Sequence, residues 1–379
     1  MNILFIANKH NNYCGGEVCT QRNISILKEL CQDGNFTEIR IERDKALKKH
    51  NHIFWQIQGF LNDIRFCSIS GIDSKQLQHI HRTIKEKNIH TVFIDKSTLG
   101  MLAKEIRTHY PYIKIITFFH NIEYSYYKRE LELNGKWMLR YRLSILRKNE
   151  KAACIYSHTN ITLNNRDEQQ LKLLYGRTAD YTLPITLKDC YTPHTRILAP
   201  TIPSSNPHIL FVGSYFSMNI EGILHFVQHI LPHTQAHLTI VGTGMNQLAT
   251  KLKNNKLVEI MDFTPNLTAL YEKASFVVIP IYSGSGMKVK TAEALMYGKY
   301  IIGTPEAFTG YDISPEIGIQ CSNDAQFIQA INECRHQGYN PASRELFLSK
   351  YSNNQAIDIL RKIIFTPSST SELVADDND

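Results

Sequence analysis

The sequence predicts an α/β chain of two doubly wound domains, on three observations. Short apolar runs alternate with helix-period stretches along most of the length. That rhythm stops once, at a proline-rich run, and then restarts. Several runs end in glycine-containing loops that lead into the next helix, as Met1–Ala7 does before Asn8–Gly16.

In chain order, MNILFIA (1–7) reads as a strand buried on both faces, which a parallel sheet requires. Val18, Ile24, Ile26, Leu27 and Leu30 predict the helix behind the first glycine loop. Helix 73–88, strand 91–95, helix 97–109 and strand 114–119 follow. Strand 160–163, helix 165–174 and strand 180–184 complete an N-terminal domain over 1–191. TPHTRILAPTIPSSNP (192–207), with four prolines in sixteen positions, reads as a linker. The C-terminal domain, 208–350, then shows strands at 208–213, 237–242, 258–261, 276–281, 300–304 and 318–321. Helices are expected between them at 219–230, 245–254, 266–274 and 287–297.

Composition excludes several classes. With 379 residues and 43% apolar side chains the chain can bury two cores, so wholesale disorder is out. No window reaches the roughly 18 consecutive apolar residues of a membrane span, and the N-terminus lacks the pattern of a secretion signal. Eight cysteines without a C-x-x-C pair predict neither a zinc site nor a disulfide scaffold, but reduced thiols in a cytoplasmic protein. The net charge of +7 is unevenly placed: 128–151 carries eight basic and three acidic side chains, and 366–379 carries four acids and no base. No stripe of basic residues with interleaved stacking aromatics recurs, so no nucleic-acid partner is expected. The acidic tail 366–379 is expected to be disordered.

The chemistry is expected at the carboxyl ends of the strands. Phe276–Gly298 is the best candidate: a buried strand, then Gly284-Ser285-Gly286, then a helix that ends at Gly298. Glycines let backbone N–H groups approach an anion, and a helix N-terminus adds about half a positive charge. Lys288 and Lys290 are expected in that helix's first turn, where each opposes the macrodipole at a cost of about 0.3–1 kcal/mol. Two such residues beside a glycine loop point to a bound anion. Glu293, three residues on and on the same face, suits a vicinal diol such as a ribose.

GSGMKVKTAEALMYGKYIIGT resembles the donor-site motif of GT-B-fold retaining glycosyltransferases of the group-one type, family 4. FVGSYFSMNIEGILHFVQHILP (211–232), VGTGM and DFTPNLTALYEKASFVVIP (262–280) are similar to the same branch, and CGGE (14–17) and FHNIEY (119–124) to its N-terminal elements. The resemblance implies a GT-B architecture, with two Rossmann-like domains facing a cleft and a last helix, 351–365, crossing back to the N-terminal domain. Ile357, Ile359, Leu360, Ile363 and Ile364 would dock that helix.

The resemblance also implies metal-independent, retaining transfer of a sugar from a nucleotide-sugar donor, a UDP- or GDP-sugar, without a cofactor. The acceptor would be a glycan or a lipid-linked molecule of bacterial-type surface polysaccharide or glycolipid synthesis. By the same resemblance Glu293 matches a ribose binder, and Lys288 and Lys290 neutralise the diphosphate. His120 hydrogen-bonds the donor sugar, and Glu123 either holds the acceptor or caps a helix. Gly213, Ser214, Asp262, Phe263, Gly284, Ser285, Gly286 and Met287 would contact the nucleotide. Gly15 and Gly16 would serve both the turn and a phosphate or acceptor contact. Two departures stand out: Ser285 replaces the motif's first acid, and Ser214 and Asn219 occupy the region of the usual Arg/Lys clamp.

No D-x-D and no carboxylate cluster with metal spacing occurs in the globular body, so no metal ligands are expected. The basic, aromatic segment 128–151 is expected to reach an anionic membrane surface, which would place the enzyme on the inner face of the cytoplasmic membrane. A non-hydrolysing sugar-nucleotide epimerase and a catalytically silent sugar-nucleotide-binding protein are the alternatives.

Overall fold

Crossover helices cover both faces of a parallel sheet, so its central strands are largely apolar. The computed structural model describes residues 1–9, 15–31, 35–42, 52–134, 139–193, 204–252 and 255–366. The chain divides into two units, Met1–Leu183 with the chain from Ala356, and Pro184–Gln355.

The first unit runs β1 (Ile3–Asn8), α1 (Gly15–Cys31), β2 (Phe36–Ile41), α2 (His52–Arg65), α3 (Ser74–Glu86), β3 (Thr91–Ile94) and α4 (Gly100–His109). It continues with β4 (Lys114–Phe119), α5 (Glu123–Asn134), α6 (Leu139–Tyr156), β5 (Thr159–Thr162), α7 (Asn165–Tyr175) and β6 (Tyr181–Thr182). All strand pairs are parallel, in the order β2-β1-β3-β4-β5-β6. Ile3 pairs with both Phe36 and Thr91, so the order reverses at β1 and β3.

The second unit runs β7 (His208–Val212), α8 (Ser217–His225), β8 (His237–Val241), α9 (Ala249–Leu252), β9 (Val258–Met261), α10 (Thr268–Lys273) and β10 (Phe276–Ile279). Then come α11 (Val289–Met296), β11 (Ile301–Gly303), β12 (Gly318–Gln320), α12 (Asp324–Asn332) and α13 (Pro341–Leu346). Its parallel sheet has the order β12-β11-β10-β7-β8-β9, so the reversal falls between β7 and β10. Ligands of such sheets bind at the carboxyl ends flanking the reversal. The last helix, α14 (Asn353–Phe365), joins the first unit from Ala356 onward. It buries Ala356, Leu360, Ile363 and Ile364, and the Lys114 ammonium donates to Ile363 O at 2.6 Å.

The structure differs from the sequence reading in four places. β2, α2, α12 and α13 were not expected; β2, FTEIRI, is an edge strand whose Thr, Glu and Arg break any apolar run. The basic segment is two helices, α5 and α6. Ile145, Leu146, Ala152, Ala153 and Cys154 of α6 are buried, so much of that helix's apolar surface packs into the unit's own core. Lys288 precedes α11 as its N-cap, outside the first turn.

The fourth difference is the boundary between the units, which falls at Leu183–Pro184 and not at 191. Residues 184–193 are tied to the second unit: Leu187 bridges to Ser352, and Arg344 grips Asp189 through 2.9 and 2.6 Å bonds. Arg344 also donates to Met296 O and Tyr191 O, both at 2.8 Å. Linker residues 194–203 and tail residues 367–379 lie outside the described residues. No disulfide occurs among the described cysteines.

Removing Arg344 strands two carbonyls and the Asp189 carboxylate. Arg344→Ala is expected to lower stability by about 2 kcal/mol or more, read as a lower urea midpoint at unchanged slope.

Candidate functional site

At the second unit's reversal, the loops after β7 and β10 approach closely. Gly242, after β8, has φ +150°, and a Cβ there would lie 2.1 Å from Gly213 O, so only glycine fits. After β10, Gly284 and Gly286 adopt φ of +151° and +60°, the left-handed conformations that let the loop fold back to the start of α11.

Lys290 points into this corner. Its ammonium donates to Asn219 Oδ1 at 2.7 Å and lies 4.4 Å from the centre of the Phe211 ring. A Cβ on Gly213 would come within 3.0 Å of that nitrogen. Asn219 is itself oriented by donating to Ser214 O at 2.8 Å. Burial, reinforced by the Lys288 charge and opposed by Glu293, pushes the Lys290 ammonium down to about 7.

Lys288 plays a different part from the one expected. It donates to Gly286 O at 3.0 Å and Ser285 O at 3.3 Å, and it pairs with Glu306 at 2.7 Å. Its charge therefore braces the glycine loop and is already countered by a carboxylate.

Glu293 lies one turn after Lys290. Its Oε2 accepts from the Tyr271 hydroxyl at 3.0 Å, and Tyr271 is fully buried and stacks on Tyr297 with centroids 4.2 Å apart. Burial raises the Glu293 carboxyl, while the Tyr271 bond and Lys290 oppose that rise. Asp262 accepts from Gly244 N at 2.7 Å and so braces the loop after β8, with Phe263 exposed beside it. Ser285 is half-buried in the loop and Met287 is buried below it.

The first unit has its own polar centre at the carboxyl ends of β3 and β4. Asp95 is buried, with Oδ1 accepting from Asn23 at 2.7 Å and Oδ2 from Thr20 at 2.5 Å and His120 Nε2 at 3.1 Å. Burial alone would raise this carboxyl; the His120 charge and the bonds from His120, Thr20 and Asn23 outweigh it and hold Asp95 below its usual value. An ionised carboxylate only accepts, so His120 Nε2 carries the proton. The other ring nitrogen, His120 Nδ1, is buried and has no partner among the described residues.

Gly15 and Gly16 are the first residues of α1, whose Thr20 reaches Asp95, and loop residues 10–14 lie outside the described ones. Glu123, buried at the start of α5, sits 4.0 Å from Lys96. Glu150 of α6 receives Glu123 N at 2.7 Å and the Tyr175 hydroxyl at 2.7 Å, and burial pushes its carboxyl up to about 7. Sequence reasoning missed Tyr271, Glu306, Asp95 and Glu150, and it named Asn219 without its link to Lys290. Each acts through a partner at least 18 residues away in the chain, which no local motif encodes.

Residues 206–336 match the family model described as glycosyl transferases group 1. The match falls within the second unit, whose residues 206–336 are similar to a group 1 glycosyl transferase domain. The chain has the GT-B fold, with two Rossmann-like parallel sheets, as its structural neighbours show. The lipopolysaccharide outer core galactosyltransferase WaaB in apo form aligns at TM-score 0.64 and 14% identity, over 96% of this chain and 99% of that one. Anabaena Alr3699/HepE in complex with UDP aligns at TM-score 0.66 and 12% identity over the same shares, 96% and 99%. A glycosyltransferase from Rickettsia africae ESF-5 aligns at 0.63 and 16% identity, over 97% and 100%. No curated protein matches the chain by sequence.

The second unit thus carries a half-buried lysine, Lys290, at the reversal of its sheet. Affinity for UDP is expected to be full below about pH 7, where Lys290 carries its charge, and to fall by up to about tenfold per pH unit above it. Isothermal titration with UDP across pH 6–9 checks this, and Lys290→Arg, always charged, is expected to flatten the profile.

Proposed function

We propose that the chain transfers a sugar from a nucleotide-sugar donor, a UDP-sugar, to a hydroxyl acceptor with retention of configuration. The observation that carries this is the Lys290–Asn219 corner at the sheet reversal, within the residues that match group 1 glycosyl transferases, with Glu293 held by Tyr271 one turn away. Related folds hold such donors: Alr3699/HepE has been solved with UDP-glucose, and with UDP and glucose.

In this reading Lys290 and the backbone N–H groups of Gly284–Lys288 at the N-terminus of α11 hold the diphosphate. Glu293 accepts from the ribose hydroxyls. Gly213, Ser214, Asp262 and Phe263 flank the nucleotide, and Lys288 keeps the loop folded. His120 Nδ1 accepts from a sugar hydroxyl.

The bond from the anomeric carbon to the phosphate oxygen breaks with its electron pair leaving on the nucleoside diphosphate. The acceptor oxygen then bonds to that carbon on the same face, and its proton passes to the departing phosphate oxygen. Lys290 and the helix N-terminus stabilise the charge that develops on the diphosphate, a task for which no metal is invoked.

The acceptor we propose is lipid-linked or a surface polysaccharide, reached from the inner face of the cytoplasmic membrane. Arg147, Lys148 and Lys151 of α6 support this, because with Tyr124 and Tyr175 they line a cavity of about 500 Å3. Among the described residues no helix is long and apolar enough to cross a membrane.

Incubation with UDP-sugars and a glycan acceptor is expected to release UDP only when the acceptor is present, and Glu293→Ala to weaken donor binding at least about tenfold, or 1.4 kcal/mol. Epimer formation without acceptor, or binding without turnover, contradicts the proposal. Co-sedimentation with anionic vesicles should exceed that with zwitterionic ones and fall as salt rises. Equal recovery in both supernatants at low salt removes the membrane part.

A further inference from the structure

Away from this chemistry, α3 and α4 bring three metal-ligating side chains together. His81 stands on α3, and Glu105 and His109 stand four residues apart on α4, so both project from one face of that helix. His81 Nε2 lies 2.9 Å and His109 Nδ1 3.3 Å from Glu105 Oε1, and the three ligand atoms lie within 4.8 Å of one another. Ligand atoms bound tetrahedrally to one zinc ion at about 2.0–2.1 Å are about 3.3 Å apart, close to this spacing.

The surroundings orient the ring nitrogens. His81 Nδ1 is 3.0 Å from the Tyr110 hydroxyl, and Tyr110 is buried. A bond from Nδ1–H to that hydroxyl turns the lone pair of Nε2 toward Glu105, the outer contact that fixes the tautomer of a metal-bound histidine. His109 Nδ1 faces two oxygens of Glu105, the carboxylate and the backbone carbonyl at 3.0 Å. Both oxygens only accept, so the group needs either protons or a metal ion between its lone pairs.

We propose that His81, Glu105 and His109 bind one divalent zinc ion, with water completing the coordination. Two imidazoles and a carboxylate suit zinc better than the all-oxygen cations. The site clamps α3 to α4 at the amino-terminal edge of the first sheet: α4 leaves the carboxyl end of β3 at Gly100, and His109 is its last residue before β4. Asp95 and His120 stand at the opposite ends of those strands. The ion is therefore structural or regulatory and takes no part in sugar transfer. The sequence hides it, because His81 is 24 residues from Glu105.

The experiment is calorimetric titration of the chelator-stripped full chain with zinc chloride at pH 7.5, beside the His81→Ala/His109→Ala variant. Circular dichroism establishes that the variant is folded. The wild type is expected to take up one equivalent that the variant binds at least about tenfold more weakly. Zinc is also expected to raise the melting temperature of the wild type alone. Cobalt is expected to give the visible absorption of a tetrahedral site in the wild type and not in the variant. Equal stoichiometry and affinity in the two proteins, or no uptake by the wild type, overturns the proposal.

Discussion

An ammonium group shielded from water needs partners, and at Lys290 they come from three parts of the second unit. Asn219 Oδ1 accepts one proton, the face of Phe211 supplies a diffuse negative charge, and Gly213 leaves the space. Phe211 lies on β7, Asn219 on α8 and Lys290 on α11, so the group exists only when the sheet order brings β7 beside β10. The glycine conformation at 242 lets its loop pack against Gly213 O, and those at 284 and 286 turn the loop toward α11. Lys288, countered by Glu306, holds the loop shut from the other side. The corner is thus pre-arranged for a further anion, because Lys290 has a neutral amide and a ring as neighbours and Glu293 is engaged with Tyr271.

The first unit solves the opposite problem. There the buried charge is a carboxylate, Asp95, and three donors satisfy it. The consequence reaches His120, whose Nε2 proton is turned toward Asp95 while its buried Nδ1 has no partner among the described residues. Both centres lie at the carboxyl ends of strands next to or near the sheet reversal, the place where helix N-termini and loop backbone converge.

Much of the fold was legible in the sequence, because strands buried on both faces are rich in apolar residues. TVFI, KIITFF and FVVI needed no further context. FTEIRI did, since an edge strand exposes one border and carries polar residues. Lys290 and Glu293 could be singled out because a lysine in the first turn after a glycine loop runs against the helix dipole. Their partners could not: Asn219 is 71 residues from Lys290, and Tyr271 is 22 from Glu293. Lys288 was misread for the same reason, as nothing local announces Glu306. The basic segment was half legible: its charge pattern was visible, but the inward face of α6 depends on tertiary packing that a mixed apolar and basic pattern leaves open.

The central claim is that the half-buried Lys290 ammonium is the charge that receives the diphosphate. Lysine-selective 13C labelling, with Lys290→Arg used to assign the signal, allows its titration to be followed by NMR with and without UDP. The account predicts a midpoint of about 7 in the free protein and a marked rise when UDP is bound. A midpoint that UDP leaves unchanged contradicts it.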